Sequence, residues 1–112
     1  MAKRKTELDK FRDLTWDDLE EWAGSKIVTR GRNYQRQGRV SDLVKTEDNC
    51  LIAWVDGTEL YATKVTMEDD GLPDSICTCP YEFDCKHGVA TVLEYLELIK
   101  NNKKLAPIFL NF

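Results

Sequence analysis

The stretch Cys77-Thr78-Cys79-Pro80-Tyr81-Glu82-Phe83-Asp84-Cys85-Lys86-His87 places four soft ligands within eleven positions. Zinc takes thiolate sulfur at roughly 2.3 Å and imidazole nitrogen at roughly 2.0 Å, and a structural site uses four protein ligands with no open position. Three Cys and one His match that count. In an extended segment residues two apart point to the same side, so Cys-x-Cys and Cys-x-His each present a pair of ligands from a short, nearly straight stretch. The pairs then clamp one ion from opposite sides.

Other chemistries open to the same residues fit them less well than zinc. A disulfide framework needs an oxidising compartment and an exported chain. The start Met1-Ala2-Lys3-Arg4-Lys5 runs into acidic and aromatic residues, with no apolar core of an export signal and no run long enough to cross a membrane. The expected setting is therefore the cytoplasm, with reduced thiols. Cys-x-Cys also lacks the two-residue spacing of thioredoxin-like redox sites. Catalytic zinc needs an open coordination position. His87 is the only His, and Glu82 and Asp84 read as solvated loop charge. Cys50, in Asn49-Cys50-Leu51-Ile52-Ala53-Trp54-Val55, reads as a small buried hydrophobe in a strand.

Cys77-Thr78-Cys79-Pro80 with Cys85-Lys86-His87-Gly88-Val89-Ala90 resembles the SWIM zinc finger, whose signature is C-x-C-x(n)-C-x-H. Arg30-Gly31-Arg32-Asn33-Tyr34 and Gly38-Arg39-Val40 resemble the segment preceding the finger in bacterial SWIM proteins, extending the likeness to roughly residues 14 to 100. The resemblance implies a β-β-α finger with zinc held by Cys77, Cys79, Cys85 and His87. It links the chain to DNA-binding and protein-interaction roles. The helicase-type ATPases and transposases to which such fingers are often attached are not encoded in this sequence.

Composition is that of a globular chain: 112 residues, 42% hydrophobic and 32% charged. One α+β domain is expected over 1–112. Its parts are an N-terminal helical region (1–38), an antiparallel β-meander (39–74), a zinc-stapled finger ending in a helix (75–101) and an apolar tail (102–112). Net charge is −4, which argues against indiscriminate nucleic-acid binding by the whole surface. Its distribution is uneven. Residues 26–45 carry Lys26, Arg30, Arg32, Arg36, Arg39 and Lys45 against Asp42 alone, whereas residues 46–112 carry twelve acids against five bases.

Thr15 caps a first helix, with Asp18 at its third position and Leu14 and Leu19 as a hydrophobic staple, and Gly24 ends it. Ser25 is expected to cap a second helix running to about Gln37 and closed by Gly38. At 100° per residue Ile27, Val28, Gly31 and Tyr34 share one side, opposite a broad cationic arc. Gly31 permits close approach of a packing partner, at roughly 1 kcal/mol of helix propensity relative to Ala.

Strands are expected at Arg39–Thr46, Cys50–Val55 and Thr58–Met67, followed by a polar loop at 68–74 and a short strand at Ser75–Cys79. His87 opens the last helix, which continues through Lys100 with a wide apolar band and is expected to lie between the sheet and the N-terminal helices. Trp16, Trp22 and Trp54 read as core, since stacking on bases requires exposure beside the basic helix.

Two functions follow. In the first, Lys26, Arg30, Arg32, Arg36, Arg39 and Lys86 meet nucleic-acid phosphates. In the second, the zinc-stapled last helix and apolar tail form a protein-interaction adaptor. No Gly-rich phosphate loop or catalytic constellation is present, so neither an enzyme nor a small-molecule substrate is expected, and no membrane partner.

Overall fold

The computed structural model describes residues 10–101. The apolar segment 105–112 lies outside the described residues. Two helices, α1 (Trp16–Ala23) and α2 (Ser25–Arg36), precede four strands, β1 (Val40–Lys45), β2 (Cys50–Asp56), β3 (Leu60–Met67) and β4 (Pro73–Cys77), and the long helix α3 (Lys86–Lys100) follows. The fold is α+β, with the strands in sequence order as one antiparallel meander.

Local signals account for most boundaries. Thr15 Oγ1 accepts from the Asp18 amide at 3.1 Å while Asp18 Oδ2 accepts from the Thr15 amide at 3.0 Å, a reciprocal cap that satisfies two otherwise orphaned donors. Ser25, expected as a cap, is instead the first helical residue of α2. Gly24 serves both helices: its amide donates to the Glu20 carbonyl at 2.8 Å and its carbonyl accepts from Val28 at 3.0 Å. Its φ of +88° is tolerated because glycine has no Cβ to clash.

The strands form the expected meander with shifted ends: β2 runs on to Asp56, β3 starts at Leu60 rather than Thr58, and β4 ends at Cys77 rather than Cys79. β1 spans Val40–Lys45, inside the expected Arg39–Thr46, with a bulge between Ser41 and Val44 where Asp42 takes φ +54°. β4 begins at Pro73, within the expected loop, and pairs it with Met67. Proline is tolerated as the first residue of a strand, where no ladder donor is lost.

One face of the sheet is buried against α3. Leu51, Ala53 and Val55 of β2, Thr63 and Val65 of β3 and Ser75 of β4 point inward. Leu51 and Val65 pack with Val89 and Val92 of α3, and Phe11, Leu19, Val28 and Tyr95 complete that core. Phe11 sits edge-on to Tyr95, ring centroids 6.0 Å apart. The last helix is thus enclosed as its apolar band implies, between the sheet on one side and α2 on the other.

Gly31 marks the α2–α3 crossing. A Cβ there would lie 2.6 Å from the Val89 side chain and 2.9 Å from the Lys86 carbonyl, so no larger residue fits without movement. The tryptophans depart from expectation. Trp16 is 40% and Trp54 42% exposed, and neither is core. Trp16 lies on the outer side of the short α1, and Trp54 alternates outward on β2 between the buried Ala53 and Val55. Trp22 alone is packed against the core.

Candidate metal centre

Inward alternation along β4 continues past its end: Pro73, Ser75, Cys77 and Cys79 are all buried and the residues between them exposed. The strand thereby delivers both first sulfurs to one side, although Cys79 itself lies beyond the ladder. Thr78 bridges to β3, its amide donating to the Ala62 carbonyl at 3.1 Å and its Oγ1 accepting from the Ala62 amide at 3.0 Å.

The chain then doubles back. The Cys77 amide donates to the Glu82 carbonyl at 2.6 Å, the Glu82 amide to Cys79 at 3.1 Å and the Asp84 amide to Ser75 at 3.2 Å, with Glu82 and Asp84 both at positive φ. The second finger strand implied by the resemblance is reduced to a single bridge, Phe83 to Ile76. Two left-handed residues so close together curl the segment too tightly for a ladder to extend.

Asp84 is not the solvated loop charge expected. It is half-buried, and its Oδ1 accepts from Trp22 Nε1 at 2.7 Å and from the Ser75 amide at 3.1 Å, joining α1, β4 and the loop. Glu82 is exposed, as expected. From Asp84 the chain enters α3 with Cys85 as N-cap, its carbonyl accepting from Gly88 at 3.0 Å and Val89 at 3.2 Å. His87 therefore falls in the first turn, facing the sulfurs.

The donor atoms of Cys77, Cys79, Cys85 and His87 all lie within 4.8 Å of one another, and all four residues are buried. His87 Nδ1 is 3.5 Å from Cys77 Sγ and 3.6 Å from Cys85 Sγ. For zinc bonded to sulfur and nitrogen at usual lengths, a tetrahedral S···N edge is about 3.6 Å. The arrangement fits the ion. The three sulfurs form no disulfide, and Cys50, buried at the far end of β2, stays outside the cluster.

The surroundings orient these donors. Thr63 Oγ1 lies 3.3 Å from Cys77 Sγ. Hydrogen bonding from the Cys85 thiol holds Cys77 well below the ordinary thiol range, and that same contact together with burial pushes Cys85 up. The imidazole is held between Tyr61, at a centroid distance of 4.9 Å, and Tyr34, at 5.3 Å. Gly57 completes the enclosure, since a Cβ there would lie 2.8 Å from the Tyr61 ring and 3.3 Å from His87 Nε2. The sequence marks Gly57 only as a turn residue. Gly88 likewise lets α3 approach β4, where a Cβ would meet Ser75 Oγ at 2.5 Å.

The cationic residues divide into two groups. Lys26, Arg30, Arg32 and Arg36 are exposed along the outer arc of α2, and Arg32 lies over the Trp16 ring at 5.5 Å. Arg39 and Lys86 are half-buried and converge on one ring, at 4.8 Å and 4.9 Å from the centroid of Tyr34. No helix among the described residues is long and apolar enough to cross a membrane.

Comparison with known proteins agrees with this geometry. Residues 64–96 match the SWIM zinc finger family. An uncharacterized protein of Methanocaldococcus jannaschii is 34% identical over 70 residues, covering 62% of this chain and 29% of that protein. The chain thus spans less than a third of the length of this relative. No solved structure matches the chain. The matched segment contains the four clustered donors and the strand, loop and helix that carry them, and so the chain carries a SWIM zinc finger at residues 64–96, with Cys77, Cys79, Cys85 and His87 gathered in a geometry consistent with zinc.

Proposed function

We propose that the chain is a zinc-stapled, non-enzymatic module that associates with nucleic acid through the cationic face of α2, with Cys77, Cys79, Cys85 and His87 as zinc ligands. The observation that carries this reading is the state of the cations. Among the described residues, Lys26, Arg30 and Arg36 make no ion pair with Asp17, Asp18, Glu20 or Glu21, and all are solvent-exposed. Glu20 instead accepts from Trp16 Nε1 at 3.2 Å, and Asp18 is engaged in the helix cap.

Trp16 meets the condition for base contact, being exposed beside the basic helix under Arg32. Phosphate contacts of this kind position without reading sequence. The metal's role is architectural: its four ligands leave no open position, so bound zinc supplies rigidity to the β4–α3 junction rather than chemistry. The cytoplasm, with its reduced thiols, is the setting proposed.

The adaptor reading shifts its location. The N-terminal half of α3 is buried, whereas Trp54, Leu60, Ile76 and Phe83 form exposed apolar surface on the outer side of the sheet and finger, favouring that face for a protein partner. Fluorescence anisotropy of the zinc-loaded protein with labelled duplex DNA over roughly 50–200 mM salt separates the readings. Binding that falls steeply with salt and is lost on charge reversal at Arg30, Arg32 and Arg36 supports the nucleic-acid module. Absence of binding at low salt rejects it.

A further inference from the structure

A cleft of about 180 Å³ opens beside the metal centre, between the start of α3 and the finger loop, with Tyr34, Thr58, Tyr61, Tyr81 and Lys86 among its walls. We propose that this cleft binds one nucleotide unit of a single-stranded nucleic acid, its phosphate on Lys86 at the cleft wall and its base stacked on Tyr81. The proposal rests on the nucleic-acid reading above and specifies a site on the finger itself, separate from the outer arc of α2.

Charge provides the first argument. Arg39 and Lys86 both lie within 5 Å of the Tyr34 centroid, which gathers two positive charges around one ring. Among the described residues neither is paired with a carboxylate there. Arg39 donates from Nε to Gln37 Oε1 at 2.6 Å and from a terminal nitrogen to the Asp56 carbonyl at 2.9 Å, both uncharged acceptors. Lys86 makes no ion pair with a carboxylate among the described residues. Those neutral acceptors fix the guanidinium without consuming its charge, so an anion held at Lys86 also lies in the field of a second, ordered cation around the same ring.

Aromatic exposure provides the second. Tyr81 is 76% exposed, although it follows Pro80 in a loop tied down by the Glu82 amide to Cys79 and the Phe83 amide to Tyr81 itself, at 3.1 and 2.6 Å. Its ring is thus offered to solvent from an ordered tip. A flat π-face beside a cationic site is the arrangement that single-stranded binders use for stacking bases. In a duplex the base faces are already stacked on their neighbours, so Tyr81 selects unpaired strands. In the same cleft the Thr58 and Tyr61 hydroxyls lie 2.7 Å apart as a polar element of its wall.

The test compares labelled oligothymidylate, oligouridylate and duplex DNA of equal length, by anisotropy at low salt, with zinc content measured for every variant. Tyr81→Ala is expected to weaken single-strand binding by about five- to a hundredfold while leaving the duplex unaffected. Tyr81→Phe should restore it, and Tyr81→Leu, which keeps the loop apolar, should not. Lys86→Gln should lower the single-strand salt slope by about 0.7. Wild-type single-strand affinity in Tyr81→Ala or Tyr81→Leu protein that retains one zinc overturns the proposal, as does equal loss of duplex binding. Failure of the wild-type protein to bind either form overturns the α2 reading along with it, whereas duplex binding dependent on Arg30 and Arg36 but indifferent to Tyr81 overturns this site alone.

Discussion

At residue scale, absent atoms matter as much as present ones. Gly31→Ala adds a methyl that improves helix propensity by about 1 kcal/mol. The same methyl would sit 2.6 Å from Val89 in a crossing already closed, and overpacking of that kind costs about 1–3 kcal/mol. The steric effect should win. A fall in melting temperature of several degrees is expected for the zinc-loaded variant, and an unchanged or higher melting temperature would show that α3 can shift freely. Thr63→Val keeps the volume but removes the hydroxyl 3.3 Å from Cys77 Sγ. Loss of a group that orients a ligand weakens metal affinity by about 10–100-fold, to be read by competition with a chromophoric chelator.

At the scale of elements, the Trp22–Asp84 hydrogen bond ties α1 to the finger loop, 62 residues apart in sequence. Trp22→Phe removes the indole donor and leaves a half-buried carboxylate with the Ser75 amide. A hydrogen bond to a charged acceptor is worth about 1.5–3 kcal/mol, and a loss of that order is expected in urea denaturation. Hydrogen exchange should then quicken in the loop around Asp84 before it does in β2 and β3. Even quickening throughout the chain would mean that α1 and the finger unfold as one unit with the sheet.

For the whole molecule, the dominant question is how much of the chain depends on the metal. Apparent binding energies of structural zinc in small fingers are about 10–16 kcal/mol, against a net domain stability of about 5–15 kcal/mol. Either Cys85→Ser or exhaustive chelation should therefore abolish stoichiometric zinc and melt at least residues 75–100. Because α3 supplies Val89 and Val92 to the core shared by sheet and helices, the damage should spread beyond the finger. Far-UV circular dichroism should show loss of more helix than α3 alone contains. Retention of one zinc and full thermal stability in the Cys85→Ser protein would remove Cys85 from the ligand set.

Spacing and local propensity alone marked the four clustered donors, the helix pair with its Thr15–Asp18 cap, the antiparallel meander and the burial of α3, because each depends on neighbours within a few residues. The near contact of Gly31 with α3 was also legible, since a glycine on the apolar side of a helix has few other uses. Only the tertiary structure decided which charges and rings are free. Asp84 was indistinguishable in sequence from Glu82 until Trp22 arrived from α1, and Trp16 and Trp54 looked like core until the sheet and helix turned them outward. Gly57 and Tyr61 joined the metal centre, and Arg39 met Lys86 across Tyr34, through contacts made by the folded chain. Periodicity reports which face a residue occupies on its own element, whereas what lies opposite that face is set by packing between elements distant in sequence.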